Sequence, residues 1–271
     1  MTTAAVTMPT AVSGIALASV RVVLVVLWIA GCLSVLTGIK VLGLNPSPVR
    51  RLFFRSLCLI FGMDVVVHGK PAEERPLLIA SNHISYLDIM AFGSATELEF
   101  VSKAEVANWP VFGTLAKLGG TVFVERQRTR TVDAREGIAE RLAAKRRLVF
   151  FPEATSGDGN RLLPFKSALF TVAETMADGT NVTVQPAAIA YTRLNGLPTG
   201  FGWRAFFAWY GDMTLASHMW RFLQLGRTTV EIIFLEPISI HGNIDRKTLA
   251  YATEKAVRGG FSRLLSGRIA L

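Results

Sequence analysis

A chain of 271 residues with a formal charge of +9 and 51% hydrophobic residues is long enough for one large domain plus an appendage, and more apolar than an ordinary soluble enzyme. The basic balance points to an anionic partner, either nucleic acid or an anionic membrane surface. The sequence has no zinc-finger spacing, aromatic-basic ribonucleoprotein signature or basic zipper, which argues against nucleic acid.

The first predicted element is an uncharged run over residues 22–39, at the lower length limit for a membrane span. Arg21 and Lys40 bracket it and can snorkel to the interfaces. No Lys or Arg precedes Arg21, so the run reads as an anchor rather than a cleaved signal. Lys40, Arg50, Arg51 and Arg55 follow it, and this bias places the main domain on the cytoplasmic side of the inner membrane. After Asn45 to Pro48, residues 51–62 read as an interfacial helix whose arginines meet lipid phosphates. The expected organisation is an anchor over residues 1–62 and a catalytic domain over 63–271. Whether the first run spans the bilayer or dips into one leaflet stays open. Cys32 and Cys58 lie in apolar stretches without partner or metal-ligand spacing, and are expected as free thiols.

Residues 64–68 form a strand-like run ending at His68, read as a strand-end surface histidine. A second run, residues 76–80, feeds the stretch Ser81 to Asp88. A histidine held by a carboxylate is the usual way to build a general base. His83 and Asp88 are five residues apart, a spacing that does not share a helix face. The chain must therefore bend between strand and helix for them to meet; otherwise the pair only caps a helix. A helix is expected over 86–93, and strands over 98–102 and 121–124, the latter ending at Arg126. Residues 126–147 carry eight Lys or Arg against three Asp or Glu, with Ala134, Ile138 and Leu142 at four-residue steps. That pattern is an amphipathic helix with a basic face, turned either to solvent or to the membrane. A strand over 148–151 runs into Pro152 and Glu153; a helix follows over 164–177, strands over 182–190 and 229–235, and a closing helix over 245–265.

Alternating strands and helices predict an α/β fold, a mainly parallel sheet flanked by helices, preceded by a membrane-anchoring helical hairpin. Sites in such sheets form beyond the carboxyl ends of strands, where His83, Arg126 and Glu153 all fall. Asp212 and His218 read as a loop aspartate and a surface histidine, and His241 as structural or exposed.

Asn82, His83 and Asp88; Gly120, Phe123 and Arg126; Phe151, Pro152, Glu153 and Thr155; and the buried strand around Pro186 form four ordered blocks. Together they resemble the glycerolipid acyltransferase family, typified by bacterial 1-acyl-glycerol-3-phosphate acyltransferases. The chain departs from that pattern at Ala154, where the family has glycine, and at Ser156, where it usually has an arginine that helps hold phosphate. The stretches 153–159, 163–167, 185–192 and 209–213 resemble the lyso-ornithine lipid O-acyltransferase branch.

The resemblance implies transfer of a fatty acyl group from acyl carrier protein or coenzyme A to the hydroxyl of a lyso-lipid. The acceptor is lyso-ornithine lipid or, alternatively, 1-acyl-glycerol-3-phosphate, and no tightly bound cofactor, metal or nucleic acid is involved. In this scheme His83 is the base and Asp88 orients it. Arg126 binds anionic groups, Glu153 and Thr155 position the head group, and Lys166 adds an anion contact; Asn82, Gly120 and Phe123 complete the substrate-binding set. No Gly-x-Ser-x-Gly elbow occurs in the chain, so the acceptor hydroxyl itself is the expected nucleophile. The rival function is a non-catalytic membrane lipid-binding protein.

Overall fold

The computed structural model of the protein describes residues 12–44, 47–103, 107, 113, 121–124, 138, 140–174, 182–239 and 245–269. Helix α1, Val12–Val41, covers the uncharged run and extends it by more than two turns at its N-terminus. Ala18, Arg21, Cys32 and Leu36 face the protein at helical spacing, with Val25, Trp28 and Ile29 packed beside them. The other face is apolar and uncovered: Val23, Val26 and Leu27 are 57–64% exposed. The Val12–Ile39 segment is only 11% buried within the protein, which separates it from the core helix of a soluble domain.

Helix α2, Ser47–Phe61, returns alongside α1. Its end, Gly62, lies directly under the Arg21 guanidinium, where a side chain would clash. Arg21 donates to the carbonyls of Leu223 (2.9 Å) and Leu225 (2.7 Å), so a cation inside an apolar helix is met by main-chain oxygen from the globular part. Phe53, Leu57, Cys58 and Phe61 of α2 belong to the same core as the sheet, so packing is continuous across residue 62. α2 lies against helix α3, Leu87–Ala95. Gly93 permits this, since a Cβ there would sit 2.4 Å from the Phe54 ring. Arg51 donates to Ala95 O (3.1 Å) and Arg55 to Ser94 O (3.3 Å). Both arginines are exposed, and each also satisfies an orphan carbonyl at the end of α3.

The strands are β1 Met63–His68, β2 Leu77–Ser81, β3 Glu99–Lys103, β4 Val122–Val124, β5 Arg147–Phe150, β6 Thr183–Leu194, β7 Leu197–Pro198, β8 Thr228–Phe234 and β9 Ile238–Ser239. They form one sheet in the order β1-β8-β6-β2-β5-β3-β4, with β7 and β9 paired to β6. Pairing is parallel from β6 through β4 and between β1 and β8, and antiparallel where β8, β7 and β9 meet β6. β2 and most of β6 are buried on both faces, as continuous apolar runs in a covered parallel sheet should be. Helix α4, Leu215–Leu223, follows Thr214, whose hydroxyl accepts from Ser217 N; helix α5, Arg246–Ser266, is capped by Asp245. On one face of the sheet α5 packs with Gly260 against Ala188 and Ile233. On the other, Phe92 of α3 meets Phe234. The Gln185 side chain accepts from Ala72 N and donates to the carbonyls of Lys70 and Leu235, holding down the loop between β1 and β2.

Three expectations change. His68 is half-buried and bonded to Glu231 at 2.7 Å, because its strand lies beside β8 rather than ending in solvent. His218 is 1% exposed, since α4 turns its apolar side, and this ring, inward. The predicted helix over 164–177 starts later: Pro164 to Lys166 are extended, a 3₁₀ helix covers Ser167–Phe170 and an α-helical turn follows at Thr171–Glu174, while residues 175–177 lie outside the described residues. Most of the predicted basic helix over 126–147 lies outside the described residues, as do Arg126, Gly120 and His241; Ile138 and residues 140–143 are helical.

Candidate active site

β2 and β5 run parallel in register, so the segments leaving their carboxyl ends meet on one edge of the sheet. His83 leaves β2 and Asp88 sits in the first turn of α3. The bend required by their spacing is built by Asp88 itself. Its Oδ2 accepts from Ile84 N (2.7 Å), Ser85 N (3.0 Å) and His83 Nδ1 (2.9 Å). One carboxylate oxygen thus ties the helix entry and catches the imidazole. Its Oδ1 accepts from the hydroxyl of Tyr191 on β6 at 2.8 Å. Asp88 and Tyr191 are buried (0% and 2% exposed) while the His83 side chain keeps 19%. An acceptor-only carboxylate makes Nδ1 the protonated nitrogen, so Nε2 carries the lone pair. The ring stacks on Phe151 at 4.1 Å with planes 16° apart, which sets its remaining rotation.

Glu153 enters from the loop after β5. Its Oε1 accepts from His83 N (3.3 Å), and Oε2 is buried with no partner among the described residues. Burial pushes its carboxyl up to about 8, helped by the charges of Asp88 and Glu254 and opposed by amide hydrogen bonds from His83 and Leu163. At neutral pH the group is mostly the protonated acid and can donate as well as accept. The sign for stability follows. The folded state holds this proton more tightly than the unfolded chain, so the contribution is complete below about 4.5 and is lost as pH rises towards about 8. Glu153→Gln is expected to flatten the fall in melting temperature between pH 5 and pH 9, measured by thermal melts in detergent. A variant whose melts track wild type across that range would refute a proton held there.

Further bonds stitch the loop to the dyad. Gly157 N donates to His83 O (2.9 Å), Trp209 N to Ile84 O (3.0 Å), and Ser156 Oγ to Trp209 O. The departure at Ala154 falls at φ +60°, the left-handed region that glycine enters freely. There a Cβ costs about 1–2 kcal/mol, so the turn carries strain next to Glu153. Thr155 and Lys166 are exposed on this loop, and Lys166 N donates to Pro152 O (2.8 Å).

The structure therefore brings His83, Asp88 and Glu153 together, with Thr155 and Lys166 on the same loop. Asn82 is different. Its Nδ2 donates to Ile189 O and its Oδ1 accepts from Ile189 N, both at 2.9 Å, and it is 2% exposed. Both ends of the amide are taken up by β6, so Asn82 is a strap on the His83 loop rather than a substrate contact. Phe123 lies on β4, three strands from β2.

Tyr191 is the residue sequence reasoning missed. A tyrosine inside a buried strand needs a partner for its hydroxyl, but nothing local names a carboxylate 103 positions away. Tyr191→Phe is expected to lower kcat about tenfold, the cost of one unmade bond to a buried charge, with KM for both substrates within about twofold. Unchanged kcat would show that Asp88 needs no second anchor.

A family model described as acyltransferase matches residues 64–190. A Brucella abortus protein named lyso-ornithine lipid O-acyltransferase is 43% identical over 220 residues, 80% of this chain and 82% of that protein. One of the same name from Rhizobium meliloti is 38% identical over 234 residues, 84% of this chain and 80% of that protein. A Neisseria gonorrhoeae 1-acyl-sn-glycerol-3-phosphate acyltransferase is 32% identical over 203 residues, 74% of each chain. The crystal structure of the Thermotoga maritima 1-acyl-sn-glycerophosphate acyltransferase superposes with TM-score 0.61 at 20% identity, covering 94% of this chain and 100% of that one, a likeness of fold.

Proposed function

We propose, for a chain that belongs to the acyltransferase family, that it moves a fatty acyl group from a thioester of acyl carrier protein or coenzyme A to the free hydroxyl of lyso-ornithine lipid. The reaction class rests on one observation above the others: His83 Nδ1 bound at 2.9 Å to a buried Asp88, with no partner at Nε2 among the described residues. The acceptor hydroxyl gives its proton to Nε2 as its oxygen attacks the thioester carbonyl. Asp88 stabilises the imidazolium that forms. The tetrahedral intermediate collapses, the C–S bond breaks, and the departing sulfur takes the proton from Nε2. A C–O bond has replaced a C–S bond, and no proton is left over. Glu153 offers the acceptor a neutral carboxyl, while Thr155 and Lys166 lie on the loop that would meet its head group.

Two facts favour the ornithine-type acceptor. Four relatives at 37–43% identity over 75–84% of this chain carry that name, against 32% for the glycerophosphate enzyme. Ser156, in place of a phosphate-binding arginine, spends its hydroxyl on Trp209 O. The glycerophosphate reading keeps support from the shared fold. Assaying both lyso-lipids side by side in detergent, with His83→Ala as control, separates them. Faster His83-dependent transfer to lyso-ornithine lipid is expected. Preference for 1-acyl-glycerol-3-phosphate would overturn the acceptor, and no His83-dependent transfer to either would overturn the enzyme mechanism.

The apolar face of α1 places the enzyme at a membrane. Because α2 returns to the level of Arg21 and stays packed on α3, the chain enters and leaves on one side. That favours a hairpin dipping into one leaflet over a span, with the site at the cytoplasmic surface of the inner membrane.

A further inference from the structure

Beyond the dyad, the loop after β5 continues along α5, and an open cleft of about 360 Å³ lies between them, within the volume range of small-ligand sites. Two arginines line it, Arg161 from the loop and Arg258 from α5, together with Ser262. Its floor is the buried pair Leu162 and Phe261. Asn160 lines it too, with a side-chain oxygen that is buried and receives no hydrogen bond among the described residues. Such a lining calls for an anion joined to a chain with apolar atoms and at least one N–H donor.

The cavity is next to the chemistry. Its wall begins after Gly159, where an added Cβ would lie 3.4 Å from Ile84, the neighbour of His83. Gly157, two residues earlier, donates to His83 O. From the α5 side, Arg258 is paired at 2.7 Å with Glu254, whose other oxygen accepts from Phe165 N. Glu254 in turn is near enough to Glu153 to act on its proton.

We propose that this cavity holds the phosphate end of the 4′-phosphopantetheine arm, the part that carrier-protein and coenzyme A thioesters share. The two arginines meet the phosphate, an arm amide donates to Asn160, and the methylenes cover Leu162 and Phe261. The thioester end then runs along the loop to Nε2. This inference rests on the acyl-transfer reading above.

The test uses the full chain in detergent, with acyl-coenzyme A and acyl carrier protein as separate donors. Replacing both Arg161 and Arg258 by alanine should raise donor KM about tenfold or more in both arms, leaving kcat and acceptor KM within about twofold. Because Arg258 also pairs with Glu254, Ser262→Trp serves as a second variant that fills the cavity and keeps both arginines. Free 4′-phosphopantetheine should bind wild type in calorimetry and lose binding to Ser262→Trp. That readout needs no turnover, so the cavity can fail while acyl transfer stands, and the reverse. Unchanged donor KM, a shift with one donor only, a shift in acceptor KM instead, or no calorimetric binding would each overturn the assignment.

Discussion

Replacing His83 by alanine is expected to lower kcat by about 10²–10⁴-fold, the range that a positioned general base supplies, with the fold intact. The imidazole is bonded through Nδ1 and stacked on Phe151, yet its side chain is 19% exposed. Its loss therefore opens space at the mouth of a cleft rather than a void in the core. The main-chain bonds that shape the loop, Gly157 N to His83 O and His83 N to Glu153, do not need the ring. Steady-state kinetics beside a thermal melt decides it. A kcat within tenfold of wild type would remove His83 from the proton path, and a collapsed melt would make the loss structural.

Asp88→Asn is the second large effect, expected at about 10²–10³-fold in kcat with little loss of stability. The geometry allows an asparagine to fit. Its amide oxygen can take the place of Oδ2 and accept from Ile84 N, Ser85 N and His83 Nδ1. Its NH2 then points at Tyr191, whose hydroxyl can turn and accept. What disappears is the charge opposite the imidazolium. Asp88→Ala differs, because it strands two buried amides at about 1–3 kcal/mol each. A melt that holds for asparagine and falls for alanine, with kcat low in both, would separate charge from scaffolding. Wild-type kcat in Asp88→Asn would refute the charge.

The strands that build this edge are legible in the chain because β2 and the middle of β6 are short, mostly apolar runs buried on both faces, as strands of a covered sheet are. The reversal between β6 and β8 was not, since pairing direction leaves no mark on local periodicity. His83, Asp88 and Glu153 could be placed because each follows such a run. The roles of Asn82 and Tyr191 could not, because each is defined by a partner more than a hundred positions away. Helix α4 was missed for a different reason: it is nine residues long and carries a histidine inside its apolar stripe. The alanine at position 154 was visible as a departure, but its left-handed backbone was not.

The bonds from Arg21 to the carbonyls of Leu223 and Leu225 fix both the roll and the axial position of α1. A lone helix in a bilayer answers a change in hydrocarbon thickness by tilting or sliding. Here either motion would pull a guanidinium off its oxygens. On the proposed reading of a hairpin held in one leaflet, a thinner or thicker leaflet would have to deform around the protein, leaving the proposed active-site mouth at a constant height above the acyl chains.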